Sequence, residues 1–253
     1  MAHLSKGPRL DVLVGRRPVI ELLKVDGSID SVLIAKGARP SPVLNEIRRL
    51  ARERNVVVRE VDRVEIDRLA EDVNHQGVAA LTGRYRYTPL SDILARPARA
   101  LLFLDGVMDP HNLGSLLRSA DGAGFDGVVI PAHRSSAVTQ TVRRVSAGAS
   151  EVVPVARETN LGRAIESAKR AGLWIVGLDQ AAEDDLWASR LLEPPVGLVL
   201  GSEDRGISKG VREKCDGMVR IPSMGRLGSL NVAVAGALAM FEVPRRNARS
   251  ATL

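Results

Sequence analysis

The chain has 253 residues, 45% of them hydrophobic and 26% charged, with 36 Lys and Arg against 30 Asp and Glu. That is enough apolar material for one large domain or two small ones, yet no stretch approaches the roughly 18 consecutive apolar residues of a membrane span. A single cysteine, Cys215, excludes an internal disulfide framework and a cysteine-built zinc site, and the four histidines (His3, His75, His111, His133) show no metal-ligand spacing. The start, MAHLSKGPRLDVLVG, has no long apolar run after its basic residues, so no signal peptide is read and a soluble, cytoplasmic protein is expected.

From Val12 onward short strands alternate with helices. Val19, Leu22 and Leu23 fall at helical spacing within Gly15 to Lys24, and Ser31 to Ala35 is β-branched and short, as a strand is. Pro42 to Asn55 repeats Val43, Leu44, Ile47 and Leu50, with Arg48, Arg49, Arg52 and Arg54 on the other faces, which predicts an amphipathic helix. Val56 to Val61 is the next strand, Val64 to Asp72 a short helix and Gly77 to Leu81 a further strand. Residues 1–82 thus form a small α/β unit. Residues 83–98 read as a linker with one short helix at Leu90 to Ala95.

Residues 99–253 form the second domain. ALLFLDG is a continuous apolar run, typical of a strand buried on both faces. A helix over Leu113 to Ala123, the strand GVVIP, a helical VTQTVRRVSAG and a short strand VVPV follow. Then come the helix NLGRAIESAKRAG, with Asn160 as its N-cap, and the strands LWIVGLD and VGLVLG. A short helix VREKCD, the strand MVRIP and a terminal helix LNVAVAGALAMFEV precede a polar tail. Such alternation implies an α/β domain with a mostly parallel sheet covered on both faces.

The charge is uneven. Residues 1–99 hold 18 Lys and Arg and 13 Asp and Glu, whereas residues 100–253 hold 18 and 17, so the positive excess sits in front. A polyanionic partner fits this as well as an ordinary solvated surface does; a nucleic acid would be gripped through phosphates and shape, with the arginines of the 48–54 helix as the expected surface. Aromatic residues are 3% of the chain, and only Tyr85 and Tyr87 precede Phe103, which argues against a base-stacking platform.

In an open parallel sheet, ligands bind beyond the carboxyl ends of the strands. Three loops leave such ends: Asp105 to Gly124, Leu200 to Ser208, and Ile221 to Ala235. Each mixes glycine with carboxamide, hydroxyl or charged groups, and Asn112, Glu203, Ser229 and Asn231 are more polar chemistry than turns require. Gly122-Ala-Gly124-Phe-Asp-Gly127 matches GxGxxG in letters, but it follows a helix and precedes a strand, so it reads as a helix C-cap. No GxxxxGK[ST], HExxH or GxSxG is present.

DxxxDPHNLGSLLRSADGAG, LVLGSEDRGI and IPSMGRLGSLNVAVA, in that order, resemble the three motifs of the SpoU (TrmH) family of RNA ribose 2′-O-methyltransferases, across roughly Ala100 to Pro244. VGRRPVIELL and HQGVAAL resemble the ends of the family's L30e-like substrate-binding domain. The combination is similar to members that methylate a guanosine ribose in 23S ribosomal RNA. The resemblance implies a trefoil-knotted α/β (SPOUT) domain, a homodimer, S-adenosylmethionine as methyl donor and no metal. It also implies that Gly201, Ile221 and Leu230 bind the cofactor, while Asn112, Arg118, Glu203, Ser229 and Asn231 form the reaction site, motif-one residues of one subunit lying near the other subunit's cofactor. A guanidinium is a poor proton acceptor, so Arg118 is expected to clamp phosphate and stabilise the developing alkoxide rather than act as base. The chain departs from the family in Gly201-Ser202-Glu203-Asp204, which has Asp204 where glycine is usual. Transfer RNA, an antibiotic-resistance site on ribosomal RNA, and a non-catalytic RNA clamp are the rival readings.

Overall fold

The computed structural model describes residues 11–25, 29–70, 74–97, 99–225 and 230–250. In chain order its elements begin with β1 (Asp11–Val14), α1 (Arg16–Lys24), β2 (Ile29–Ala35), α2 (Pro42–Glu53), β3 (Val57–Val61), α3 (Arg63–Ala70) and β4 (Val78–Thr82). Next come α4 (Leu90–Leu94), β5 (Ala100–Asp105), α5 (Pro110–Gly122), β6 (Gly127–Pro131), α6 (Gln140–Val145), α7 (Ala149–Val152), β7 (Val155–Glu158) and α8 (Leu161–Arg170). Last are β8 (Trp174–Leu178), β9 (Asp184–Asp185), β10 (Val196–Gly201), α9 (Lys209–Arg212), β11 (Gly217–Arg220) and α10 (Val232–Ser250). They sort into two units: the chain up to Arg86 with Val138–Val152, and Tyr87–Ala137 with Val153–Leu253.

The first unit is built on a four-stranded sheet in the order β1-β4-β2-β3, antiparallel except for the β2/β3 pair. Side chains alternate across a strand, and β2 uses both faces. Val32 and Ile34 join the α1 and α2 residues Leu22, Leu23, Leu44 and Ile47 in one core, while Leu33 and Ala35 meet Ile66 and Ala70 of α3 in the other. This is why Val32 to Ala35 are all apolar. Residues 138–152 belong to this unit, and Arg143 links them to Thr82 of β4. Arg143 gives Nε to Glu151 Oε1 at 2.8 Å and its other nitrogens to Glu151 Oε2 and Thr82 Oγ1, with the two charged side chains 4% and 6% exposed.

The second unit carries a seven-stranded sheet in the order β7-β6-β5-β10-β8-β11-β9, parallel throughout. Leu101, Phe103, Val199 and Ile175 face α8 and the buried Leu90 and Ile93 of α4, so the segment read as a linker contributes to this core. On the opposite face α10 lies over β10 and packs against α5, which lies over β6. A Cβ on Gly236 would meet Leu116 Cδ2 at 2.4 Å and Leu200 Cδ1 at 2.6 Å, so α10 needs glycine there to lie against α5 and the sheet.

Several boundaries differ from the sequence pattern. α5 starts at Pro110, three residues before the first periodic leucine, because Asp109 caps it by accepting the His111 N–H at 2.8 Å. The GxGxxG match is a Schellman C-cap: Phe125 N–H reaches Ala120 O at 2.9 Å, and Gly124 takes φ +70°. VTQTVRRVSAG divides into α6 and α7, and the strand expected at VVPV begins at Val155, because α7 continues to Val152. α10 runs past Phe241 and Val243 to Ser250. Glu242, only 2% exposed, bonds Arg245 and Arg246, and Arg246 donates to Leu186 O and Trp187 O at 3.1 and 2.8 Å.

Burial alone would raise the Glu242 carboxyl, but the hydrogen bonds and charges of Arg245 and Arg246 outweigh it and hold it below the usual carboxylate range. A carboxyl lowered in the fold stabilises it above its unfolded value, and that contribution is lost as pH falls through the folded value. Denaturant titrations of the unaltered protein should therefore show stability declining below about pH 4. Glu242→Gln should cost roughly 1–3 kcal/mol at neutral pH and flatten that part of the decline; an identical pH profile in the variant contradicts this assignment.

Candidate active site

Each of the three loops is shaped by its own short-range bonds. In the first, Asp105 ends β5 and accepts the Ser208 N–H at 2.7 Å, tying it to the second loop. In the second, Ser202 and Gly206 pair as a tight antiparallel bridge, with mutual N–H to O bonds of 3.1 and 3.0 Å, and Ser202 Oγ accepts the Arg205 N–H at 3.2 Å. The turn folds back so closely that a Cβ on Gly201 would stand 2.0 Å from Gly206 C and 2.2 Å from Ile207 N. No residue with a side chain fits at 201 without opening the turn. In the third, Asn231 caps α10, its Oδ1 accepting the N–H groups of Ala233 and Val234 at 2.9 and 3.3 Å.

One line of side chains joins all three. Asn231 Nδ2 donates to Asn112 Oδ1 at 3.1 Å, and Asn112 Nδ2 donates to Glu203 Oε1 at 2.5 Å. The direction is fixed at both ends, because the backbone N–H groups of α10 can only donate and a carboxylate can only accept. Both carboxamides are thereby oriented, each with a second N–H to spare, and Glu203 keeps Oε2. These groups face solvent: Glu203 and Asn231 are exposed and Asn112 is half-buried.

Of the expected site residues, Asn112, Glu203 and Asn231 are thus brought together. Arg118 is not joined to them. It is exposed and makes no hydrogen bond or ion pair among the described residues, standing about 120° round α5 from Asn112 but on the same face as His111. His111, Asn112, Ser115 and Asn231 share a groove of about 400 Å³ with Val234 and Leu238. Ser229 lies outside the described residues. Gly201 sits under the turn, Ile221 is buried with its carbonyl accepting Gln180 Nε2 at 3.2 Å, and Leu230 is 46% exposed. Asp204 is exposed and forms no ion pair among the described residues. Sequence reasoning passed over Asp105 and Gln180 as loop anchors. Asp105, a carboxylate ending an apolar strand, carried a signal, and Gln180 carried none.

Among the described residues no group of three or more His, Cys, Asp or Glu could hold a metal ion. Burial and the neighbouring Asp216 push the Cys215 thiol up to about 11, and its Sγ bonds Val211 O at 3.5 Å, so it is held as a thiol rather than a nucleophile.

Residues 99–241 match the profile of the SpoU rRNA Methylase family, and residues 12–88 that of the RNA 2′-O ribose methyltransferase substrate-binding domain. The chain belongs to the SpoU family. A Staphylococcus saprophyticus protein assigned to the TrmH family of tRNA/rRNA methyltransferases is 42% identical over 240 residues, covering 93% of this chain and 95% of its own. The S-adenosylmethionine-bound rRNA methyltransferase of Sinorhizobium meliloti superposes with a TM-score of 0.80 at 28% identity, covering 94% of this chain and 88% of that one. The SpoU methyltransferase AviRb of Streptomyces viridochromogenes shares the fold, with a TM-score of 0.81 at 23% identity over 95% and 91% of the two chains. This SpoU chain is accordingly an S-adenosylmethionine-dependent RNA methyltransferase.

The steric limit at Gly201 gives a direct test. Gly201→Ala should displace the 202–206 turn, weaken S-adenosylmethionine binding at least ten-fold in calorimetric titration, and destabilise the fold by about 1–3 kcal/mol. Unchanged affinity contradicts a role for that turn in the cofactor site.

Proposed function

We propose that the protein transfers a methyl group to a ribose 2′-hydroxyl of a guanosine in 23S ribosomal RNA, and that it works as a homodimer in the cytoplasm, where ribosomes are assembled. The observation that carries the reading is the Glu203–Asn112–Asn231 line, which gives three separate loops one shared polar surface. Likeness to the Sinorhizobium meliloti rRNA methyltransferase over 94% of this chain supports ribosomal RNA as the substrate.

The donor set fits S-adenosylmethionine. Backbone groups at Gly201, Ile221 and Leu230 suit a neutral nucleoside, the exposed Leu230 side chain supplies apolar surface, and the carboxylates Glu203 and Asp204 suit a cationic ligand. When bound, the sulfonium supplies an electrophilic methyl group, so the chain need furnish no covalent nucleophile. The chain's own residues must then orient a sugar hydroxyl and stabilise the charge it develops. The spare N–H groups of Asn112 and Asn231 are donors for the ribose and its phosphate, and Ser229 adds a hydroxyl from the same loop. Arg118, with no intramolecular partner among the described residues, is free to clamp the adjacent phosphate and lower the hydroxyl pKa electrostatically. A guanidinium is a poor proton acceptor, so the proton leaves to another acceptor.

Dimerisation is supported by the outer face of α10. Val234 (50%), Leu238 (39%) and Phe241 (50%) are exposed at helical spacing beside the groove that holds Asn112 and Asn231. An apolar stripe of this kind marks an interaction surface. The family resemblance implies that motif-one residues of one subunit, Arg118 among them, lie near the cofactor of the other, which a two-fold contact would allow.

The test uses tritiated S-adenosylmethionine and protein-free 23S ribosomal RNA, followed by alkaline hydrolysis. A 2′-O-methyl group removes the nucleophile that cleaves the next phosphodiester, so the label should appear in alkali-stable dinucleotides with guanosine at the 5′ position. Arg118→Ala should lower transfer about 10²-fold or more and leave cofactor affinity within about two-fold. Label recovered in mononucleotides, or full turnover by the variant, contradicts the reading.

A further inference from the structure

The first unit contains a cavity of about 570 Å³ whose lining includes Arg16, Lys36, Arg39, Arg63 and Gln76, and no carboxylate. It lies where the carboxyl ends of β2 and β3 meet the starts of α1 and α3, with Lys36 N–H bonded to Val61 O at 2.8 Å and Ala35 N–H to Gly77 O at 2.9 Å. Arg16 and Arg63 are the first residues of α1 and α3. A cation at a helix N-terminus opposes the macrodipole and costs helix stability, so helix formation does not account for either arginine. An anion in the cavity would be favoured by the arginines and by both helix ends.

One of these cations, Arg16, is held in place by hydrogen bonds. His75, 3% exposed, accepts the Gly77 N–H on Nδ1 at 3.0 Å and therefore gives Nε2–H to Asp67 at 2.7 Å. This clasp fixes the turn in which Gln76 takes φ 54°. Gln76 O then accepts the Arg16 Nε–H at 3.1 Å, and Ser41 Oγ accepts from Arg16 Nη1 at 2.9 Å, so the Arg16 guanidinium is positioned at the cavity. Arg39 and Arg63 are exposed and form no ion pair among the described residues. Lys36 has only an exposed pair with Asp62, of the kind worth little in water.

The expected surface on α2 is different. Glu60 stands beside Arg48 and Glu53 beside Arg49, each at 2.7 Å, so carboxylates are interleaved with that open face, whereas the cavity lining has none; Arg54 Nη1 donates to Leu22 O and Val25 O, and Arg52 is exposed. We propose that the Arg16–Lys36–Arg39–Arg63 cavity, not the α2 arginine face, is where this protein grips its RNA, by seating a backbone phosphate. The inference rests on RNA being the substrate.

Filter retention of protein-free ribosomal RNA and of transfer RNA over a range of salt tests it, comparing the unaltered protein with Arg39→Ala/Arg63→Ala and with Arg48→Ala/Arg49→Ala. The cavity variant should bind ribosomal RNA at least ten-fold more weakly, with a salt slope lower by about two, and should raise KM for RNA while kcat is kept. The α2 variant should change binding less than about three-fold. RNA binding unchanged in the cavity variant overturns the proposal, as does loss of radiolabelled orthophosphate binding alone, which would assign the cavity to a free anion. If the unaltered protein retains transfer RNA and not ribosomal RNA, the ribosomal reading fails, and the same variants then test the cavity on transfer RNA.

Discussion

Two hydrogen bonds between side chains 91 and 119 residues apart in sequence hold the candidate site together. Each is worth roughly 0.5–1.5 kcal/mol in net stability, too little to determine the fold. Their value is directional. The N-terminal amides of α10 orient Asn231, Asn231 orients Asn112, and the chain of donors ends on the Glu203 carboxylate. Remove Asn112 and the two outer groups face each other across a gap with no common partner.

The fold supplies that arrangement by strand order. β5 and β10 are neighbours in register from Val196 opposite Ala100 to Gly201 opposite Asp105, so the first two loops leave the sheet side by side. Their carboxyl ends are then locked by Asp105 and Ser208. α10 brings the third loop by packing its glycine face on Leu116 and Leu200, while its apolar outer stripe remains exposed. The same helix thus serves the core, the polar line and the proposed subunit contact with three different faces.

Much of this was legible in the residues. The short β-branched strand β2, the buried run of β5 and the Asn160 cap of α8, which accepts the Arg163 N–H at 3.0 Å, follow from local rules. The joining of Asn112 and Asn231 did not, since periodicity carries no information about which distant loops meet; resemblance alone placed them in one site. Residues 138–152 read as part of the second domain by their place in the chain, whereas they cluster with the first unit, where buried Arg143 bonds Thr82. β9, two aspartates long, has no apolar signature to find. Asp67 and His75 gave no sign that they clasp a turn, because the bond between them depends on tertiary placement. Charge counting located the basic half correctly, but not which of its arginines are already paired.

The central claim is that Asn112 and Asn231 act as one unit, and a double-mutant cycle measures that directly. kcat/KM for RNA methylation would be compared among the unaltered protein, Asn112→Ala, Asn231→Ala and the double variant. If the line is the functional element, either single change breaks it, and the double variant should be no slower than the worse single one. Losses that multiply, each residue acting independently of the other, would contradict the account.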